Sequence, residues 1–125
     1  MPQDITKAVI PAAGLGTRLK PLTAHMPKEL LPIGAKPMLQ YTLEMYVASG
    51  ITELCIITSP QKERIKDFVT GQWFPPALPF FRDEVFYRNL GRCRTVFLTQ
   101  EEPKGVADAI SLARDFVGND PFACV

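Results

Sequence analysis

Residues 8–12, Ala-Val-Ile-Pro-Ala, form an apolar run that drops into a small, glycine-bearing turn, Ala13-Gly14-Leu15-Gly16-Thr17. A run with no polar alternation calls for burial on both sides, which a strand inside a covered sheet provides. The turn then lets the backbone approach a ligand, because Gly14 and Gly16 lack side chains and reach angles closed to other residues. Arg18 follows, and further on Lys28 stands in Pro27-Lys28-Glu29-Leu30-Leu31-Pro32. A buried strand, a close-approach loop and two cations together describe a phosphate site.

The rest of the chain repeats a strand–helix alternation. Residues 37–49 read as a helix, with Pro37 suited to its first position, Gly50 to the residue after its end, and Leu39, Leu43, Tyr46 and Val47 on one face. Residues 53–58 are a second strand, 61–69 a helix with Ile65, Phe68 and Val69 inward, and 95–99 a third strand. Residues 106–117 are a helix with Ile110, Ala113 and Val117 on one side, and 121–125 open a fourth strand. Alternation of this kind predicts an α/β fold: a Rossmann-like, three-layer α/β/α arrangement around a mostly parallel sheet. Ligands in such sheets sit beyond the carboxyl ends of the strands, where the turn at residues 13–17 and the residues after Thr99 fall. Residues 71–94 break the pattern. They hold Trp73, Phe74, Phe80, Phe81, Phe86 and Tyr87 among prolines 75, 76 and 79, and read either as a long connection over the domain edge or as a partner or lid surface.

The charge balance excludes several function classes. Fourteen basic and 13 acidic residues leave a net charge of +1, which supports neither a nucleic-acid nor a membrane-surface role. Any bound anion must be gripped locally. No apolar run is long enough to span a membrane, and the N-terminus lacks a basic region with an apolar core. Cys55, Cys93 and Cys124 are odd in number and widely spaced, which suits a reduced, cytoplasmic protein, and His25 has no evident co-ligand for a metal.

The glycine turn matches neither standard nucleotide fingerprint. A dinucleotide-binding motif would place a third glycine where Leu19 stands, and a P-loop would need Gly-Lys-Ser/Thr. A glycine pair after a strand is also an ordinary tight turn, and a lone arginine or lysine is commonly solvated. The combination is more specific. The Arg18 guanidinium offers a fork suited to phosphate oxygens, and Pro27 and Pro32 stiffen the loop that carries Lys28.

GLGTRLKPLT followed by PKELLPIGAKPMLQY resembles the N-terminal signature of the sugar-phosphate nucleotidyltransferases, within them most of all the bacterial UTP–glucose-1-phosphate uridylyltransferases. Gln100-Glu101-Glu102-Pro103-Lys104-Gly105 resembles the family's Q-x-E-P-x-G segment at the start of a helix. The resemblance runs from about residue 7 to 125, with 71–94 in the family's variable region. It implies that the chain is the N-terminal, nucleotide-binding part of a nucleotidyltransferase domain, a truncated form of that fold. It also implies roles. Ala13, Gly14 and Gly16 would meet the nucleotide through their backbone, Arg18 would hold triphosphate and then pyrophosphate, and Lys28 would contact phosphate at the reacting centre. Gln100 and Gly105 would read the base. Mg²⁺ is the expected cofactor, and the aspartate that holds it would follow the fourth strand, past Val125; Asp108, Asp115 and Asp120 do not match it. The implied partners are UTP or dTTP and a sugar 1-phosphate. Gly105-Val106-Ala107-Asp108 is nearer the thymidylyltransferase pattern than the uridylyltransferase G-x-G-H, so the base stays open.

Two further readings accompany this one: a non-catalytic nucleotide-binding or assembly module, and a Rossmann-type dinucleotide binder, which lacks its third glycine and its acidic residue at Thr58-Ser59. With the metal aspartate and the sugar site expected past Val125, the 125-residue chain is expected to be inactive or weakly active. An apolar fourth strand at an uncovered sheet edge is expected to pair with another copy. Light scattering should then give a mass above the monomer that grows with concentration; a clean monomer counts against it.

Overall fold

The structure, a computed structural model, describes residues 4–14, 27–75 and 83–124. In chain order the elements are β1 (Lys7–Pro11), a short antiparallel pair β2 (Pro32–Ile33) and β3 (Lys36–Pro37), α1 (Met38–Ala48), β4 (Glu53–Thr58), α2 (Glu63–Val69), α3 (Glu84–Leu90), β5 (Arg94–Thr99), α4 (Val106–Ser111), α5 (Arg114–Val117) and β6 (Phe122–Cys124). The main sheet runs β5-β4-β1-β6 in space, and every pairing in it is parallel.

Side-chain alternation along these strands builds two cores. Ala8, Ile10, Leu54 and Ile56 point to one face, where they meet Leu39, Leu43 and Tyr46 of α1, Ile65 and Phe68 of α2, and Phe86, Tyr87 and Leu90 of α3. Val9, Cys55 and Ile57 point to the other, against Ala109 of α4, Ala113 at the junction before α5, and Val117 of α5. Both faces of β1 and β4 are therefore covered, which is why these strands read as unbroken apolar runs. The layers are helix, sheet, helix, as the alternation predicts.

Strand order explains which helices go where. From β1 the chain steps outward to β4 and then β5, and it returns past β1 to β6. Right-handed crossovers made in opposite directions place their helices on opposite faces. The reversal falls between β1 and β6, and in sheets of this kind the binding crevice opens at the carboxyl ends of the strands beside such a reversal. At the other end of β1, Lys7 secures the return: its Nζ donates to the Phe116 and Val117 carbonyls at 2.9 and 3.3 Å and pairs with Asp120 at 2.9 Å. A cation on the last carbonyls of α5 satisfies acceptors that the helix leaves open.

Three expectations change in detail. Pro37 caps α1 rather than opening it. The helix expected over 106–117 divides into α4 and α5, where Leu112 and Ala113 donate to Ala109 and Ile110, three residues back, and tighten the coil. Its inward stripe is Ala109, Ala113 and Val117, spaced by four, and Ile110 is only half-buried. The largest difference lies in 71–94, which is not simply a connection: it contains α3. Asp83 caps that helix, its Oδ1 accepting from Phe86 N at 3.1 Å, and Phe86, Tyr87 and Leu90 are core. Of the aromatics there, Phe86 and Tyr87 are interior, Trp73 is half-buried and Phe74 is exposed. Tyr87 sits edge-on to Phe86 and Phe68, and its hydroxyl donates to the Phe68 carbonyl at 2.5 Å. Phe80 and Phe81 lie outside the described residues.

The three cysteines are free. Burial pushes the Cys55 thiol up to about 11 from 9.0, and Tyr46, Cys93 and Cys124 also move upward, chiefly by burial. For the fully buried Cys55 the folded-state value lies above the unfolded value, so its contribution to stability is complete below about pH 9 and is lost as pH rises towards 11. For Cys55 the loss is expected to be about 2 kcal/mol by about pH 11. Urea unfolding across that window should show it, and Cys55→Ala should flatten part of the slope.

Candidate nucleotide site

Three stretches of chain meet at the carboxyl end of the sheet. Pro11, Ala13 and Gly14 come from the end of β1, Lys28 from a 3-10 turn over Lys28–Leu30, and Gln100, Pro103, Gly105, Val106 and Ala109 from the link between β5 and α4. They line a cavity of about 120 Å³. Five residues singled out in the sequence, Ala13, Gly14, Lys28, Gln100 and Gly105, are thus brought together. Gly16 and Arg18 lie outside the described residues.

Strand pairing fixes two sides of the cavity. Ala12 N donates to Ile57 O at 2.7 Å and Gln100 N to Thr58 O at 2.7 Å, so the ladders run one residue past β1 and β5 before the chain turns. Gly14 does not adopt a positive φ, and a Cβ added to it would meet nothing within 4 Å. Neither backbone strain nor protein crowding demands glycine there, so the small residue answers to the open space beside it. Gly105 differs: its φ of +92° is a conformation that L side chains rarely adopt, so the backbone itself requires glycine.

Gln100 is buried, and its side-chain Nε2 donates to Asp108 Oδ2 at 2.9 Å and to Gly105 O at 3.3 Å. Asp108, which reads as a solvated helix residue in the sequence, is half-buried and spans the start of α4 back to the strand end. Lys28 pairs with no carboxylate among the described residues, which leaves its ammonium available to an anion.

The residue beside Lys28 turns the opposite way. Glu29 is 8% exposed, and its Oε1 meets Lys62 Nζ at 2.9 Å; the same ammonium donates to the Ala12 carbonyl at 2.9 Å. Lys62, 5% exposed, ends the turn over Pro60–Lys62 that follows β4. One buried cation thus ties together the end of β1, the end of β4 and the Lys28 turn. Sequence reasoning missed it, since a lysine in Ser59-Pro60-Gln61-Lys62 looks like any polar turn residue. Ser59 Oγ nearby is buried and has no partner among the described residues.

A wider cleft of about 370 Å³ lies between α1 and α3. Its charged groups already have partners: Lys36 contacts Glu44 at 3.0 Å, and Gln40 Nε2 donates to Glu44 and Asp83. It holds none of the candidate site residues read from the sequence. The smaller cavity, with a lysine that meets no carboxylate among the described residues, an open glycine and a fixed amide, has the chemistry for a nucleotide: a cation for phosphate and oriented polar groups for a base. No cluster of three or more His, Cys, Asp or Glu suited to a metal occurs among the described residues, and Asp108 is committed to Gln100. No helix among them is long and apolar enough to cross a membrane.

Fold and sequence place the chain in a class. It belongs to the nucleotidyl transferase family, whose pattern matches residues 7–125. It is 42% identical over 127 aligned positions to the UTP–glucose-1-phosphate uridylyltransferase 1 of Staphylococcus saprophyticus, an alignment covering 95% of this chain and 43% of that protein. A crystal structure of UDP-glucose pyrophosphorylase complexed with UDP-glucose superposes with a TM-score of 0.79 at 31% identity, covering 98% of this chain and 45% of the other. A UTP-bound UDP-glucose pyrophosphorylase from Acinetobacter baumannii gives 0.76 at 25% identity, over 98% and 45%. The chain therefore spans less than half the length of these relatives.

The buried pair makes a direct prediction. Lys62→Met leaves Glu29 charged and unpartnered inside the protein, and should cost about 3–5 kcal/mol in urea unfolding. The double variant Lys62→Met, Glu29→Leu should recover most of that loss, because removing both charges also removes their desolvation cost.

Proposed function

We propose that this chain forms the nucleotide-binding part of an enzyme that transfers a uridylyl group from UTP to glucose 1-phosphate, giving UDP-glucose and pyrophosphate. The observation that carries this reading is the convergence of the Ala13-Gly14 backbone, Lys28, Gln100 and Gly105 on one cavity at the carboxyl end of the sheet. Membership of the nucleotidyl transferase family supports the reaction class, and the uridylyltransferase relatives support UTP and the sugar 1-phosphate.

In this reading a phosphate oxygen of the sugar 1-phosphate attacks the α-phosphorus of UTP, the bond from that phosphorus to the bridging oxygen breaks, and pyrophosphate leaves in line. No covalent intermediate on the protein is required. The protein's work is to hold two polyanions together and to meet charge as it moves onto the departing group. Lys28 acts as an electrostatic clamp at the reacting phosphates, with Arg18 assigned to the triphosphate and then the pyrophosphate by the family resemblance. The Ala13-Gly14 backbone approaches the nucleotide, with Gly16 assigned the same part, and Gln100 and Gly105 face the base. Mg²⁺ is the metal this chemistry would use. The described residues offer no carboxylate set for it.

A thymidylyltransferase-type preference is the second reading. Gly105-Val106-Ala107-Asp108 favours it, and UTP and dTTP share the groups that Gln100 can contact.

Isothermal titration of the chain with UTP and dTTP tests the binding reading, and a coupled pyrophosphate-release assay with glucose 1-phosphate tests the transfer. Binding of at least one of the two nucleotides is expected. Loss of a charge-assisted contact in Lys28→Ala should weaken it about 10- to 100-fold. Absence of binding to both nucleotides would leave only a structural role for the cavity.

A further inference from the structure

A side-chain amide is ambiguous by nature, since rotation by half a turn exchanges a donor for an acceptor. Gln100 is not free to make that exchange. Its Nε2 gives one proton to Asp108 Oδ2 at 2.9 Å and the other to the Gly105 carbonyl at 3.3 Å, and both of those partners are acceptors only. Turning the amide over would set its oxygen against a carboxylate and a carbonyl. The backbone is held as well, by Gln100 N donating to Thr58 O at 2.7 Å. Among the described residues nothing donates to Gln100 Oε1. The amide that lines the cavity therefore has one unspent function, an acceptor.

From this arrangement we propose that Asp108 is a positioning residue for base selection, fixing Gln100 so that its Oε1 accepts from a ring N–H of the base. The inference rests on the nucleotide-site reading above and adds to it the residue that sets the orientation of the base-reading amide. Uracil and thymine carry a donor at N3, whereas cytosine carries an acceptor there and would face oxygen with a lone pair. Buried, mismatched acceptors cost more than a missing contact, so a pinned amide separates diketo pyrimidines from cytosine without touching the sugar or phosphates. It does not separate uracil from thymine.

The test is titration of the chain and its Asp108 variants with UTP, dTTP and CTP. The wild type should bind UTP and dTTP at least about tenfold more tightly than CTP. Asp108→Asn keeps the shape but can donate or accept, so the Gln100 amide can turn over. The ratio of UTP to CTP affinity should then fall several-fold, mainly through tighter CTP binding. Asp108→Glu, which restores an acceptor, should retain more of the ratio than Asp108→Asn does. A merely structural role would weaken all three nucleotides together and leave the ratio unchanged; that result overturns the proposal and spares the nucleotide-site reading. If the wild type binds none of the three, both fall. A measurement on the wild type alone guards against a variant that does not fold: the two Nε2 protons of Gln100 should give distinct, slowly exchanging NMR signals, and rapid exchange would overturn the proposal.

Discussion

The cavity depends on one buried ammonium. Lys62 reaches the Ala12 carbonyl and Glu29 Oε1, each at 2.9 Å, from a turn just past β4. Through it, the Lys28 turn, which no ladder of the main sheet reaches, is tied to the ends of β1 and β4. Removing an ammonium from water is costly, and the cost is offset here only because a carboxylate and a carbonyl both face it. The result is geometric. Glu29 is drawn inward, so its neighbour Lys28 is left on the cavity side. A pair of this kind adds little net stability compared with apolar side chains of equal size, but it makes the relative position of the loops hard to change. A phosphate site built from separate loops needs that fixity.

Around this anchor the site divides by chemistry. The β1 end and the Lys28 turn supply small residues and positive charge, suited to phosphates. The β5–α4 link supplies a fixed amide and a glycine that the backbone requires, suited to a flat heterocycle. The two halves belong to different crossovers of the sheet, and they meet because β1 and β4 sit side by side at its centre with β5 next to them. The position is the one that sheet topology favours for ligands, beside the reversal of strand order.

Much of this was legible in the chain itself. The span of β4 follows directly from its apolar, β-branched run, and the inward faces of α1 and α2 follow from helical spacing. The glycine turn, Lys28 and Gln100 were readable as candidate contacts because their residue types carry chemistry. Helix α3 was obscured: a core segment rich in Phe and Tyr and set among prolines has weak periodicity, and its one local signal, the Asp83 cap, depends on a hydrogen bond that sequence does not display. The break between α4 and α5 was equally hidden, since alanines at 109 and 113 suit one continuous helix.

What the sequence determined alone is the class of fold and the residue types at the site, because strand–helix alternation and apolar patterning are local properties that survive in a linear string. What only the tertiary structure decided is which polar groups are spent and which are left. Lys62 and Lys28 are both lysines in turns, yet one is enclosed by a carboxylate and a carbonyl and the other meets no carboxylate among the described residues. Asp108 reads as a solvated helix residue, yet it holds the amide of Gln100. The state of a hydrogen-bonding group depends on partners far away in the chain, and those partners arrive only when the sheet has formed.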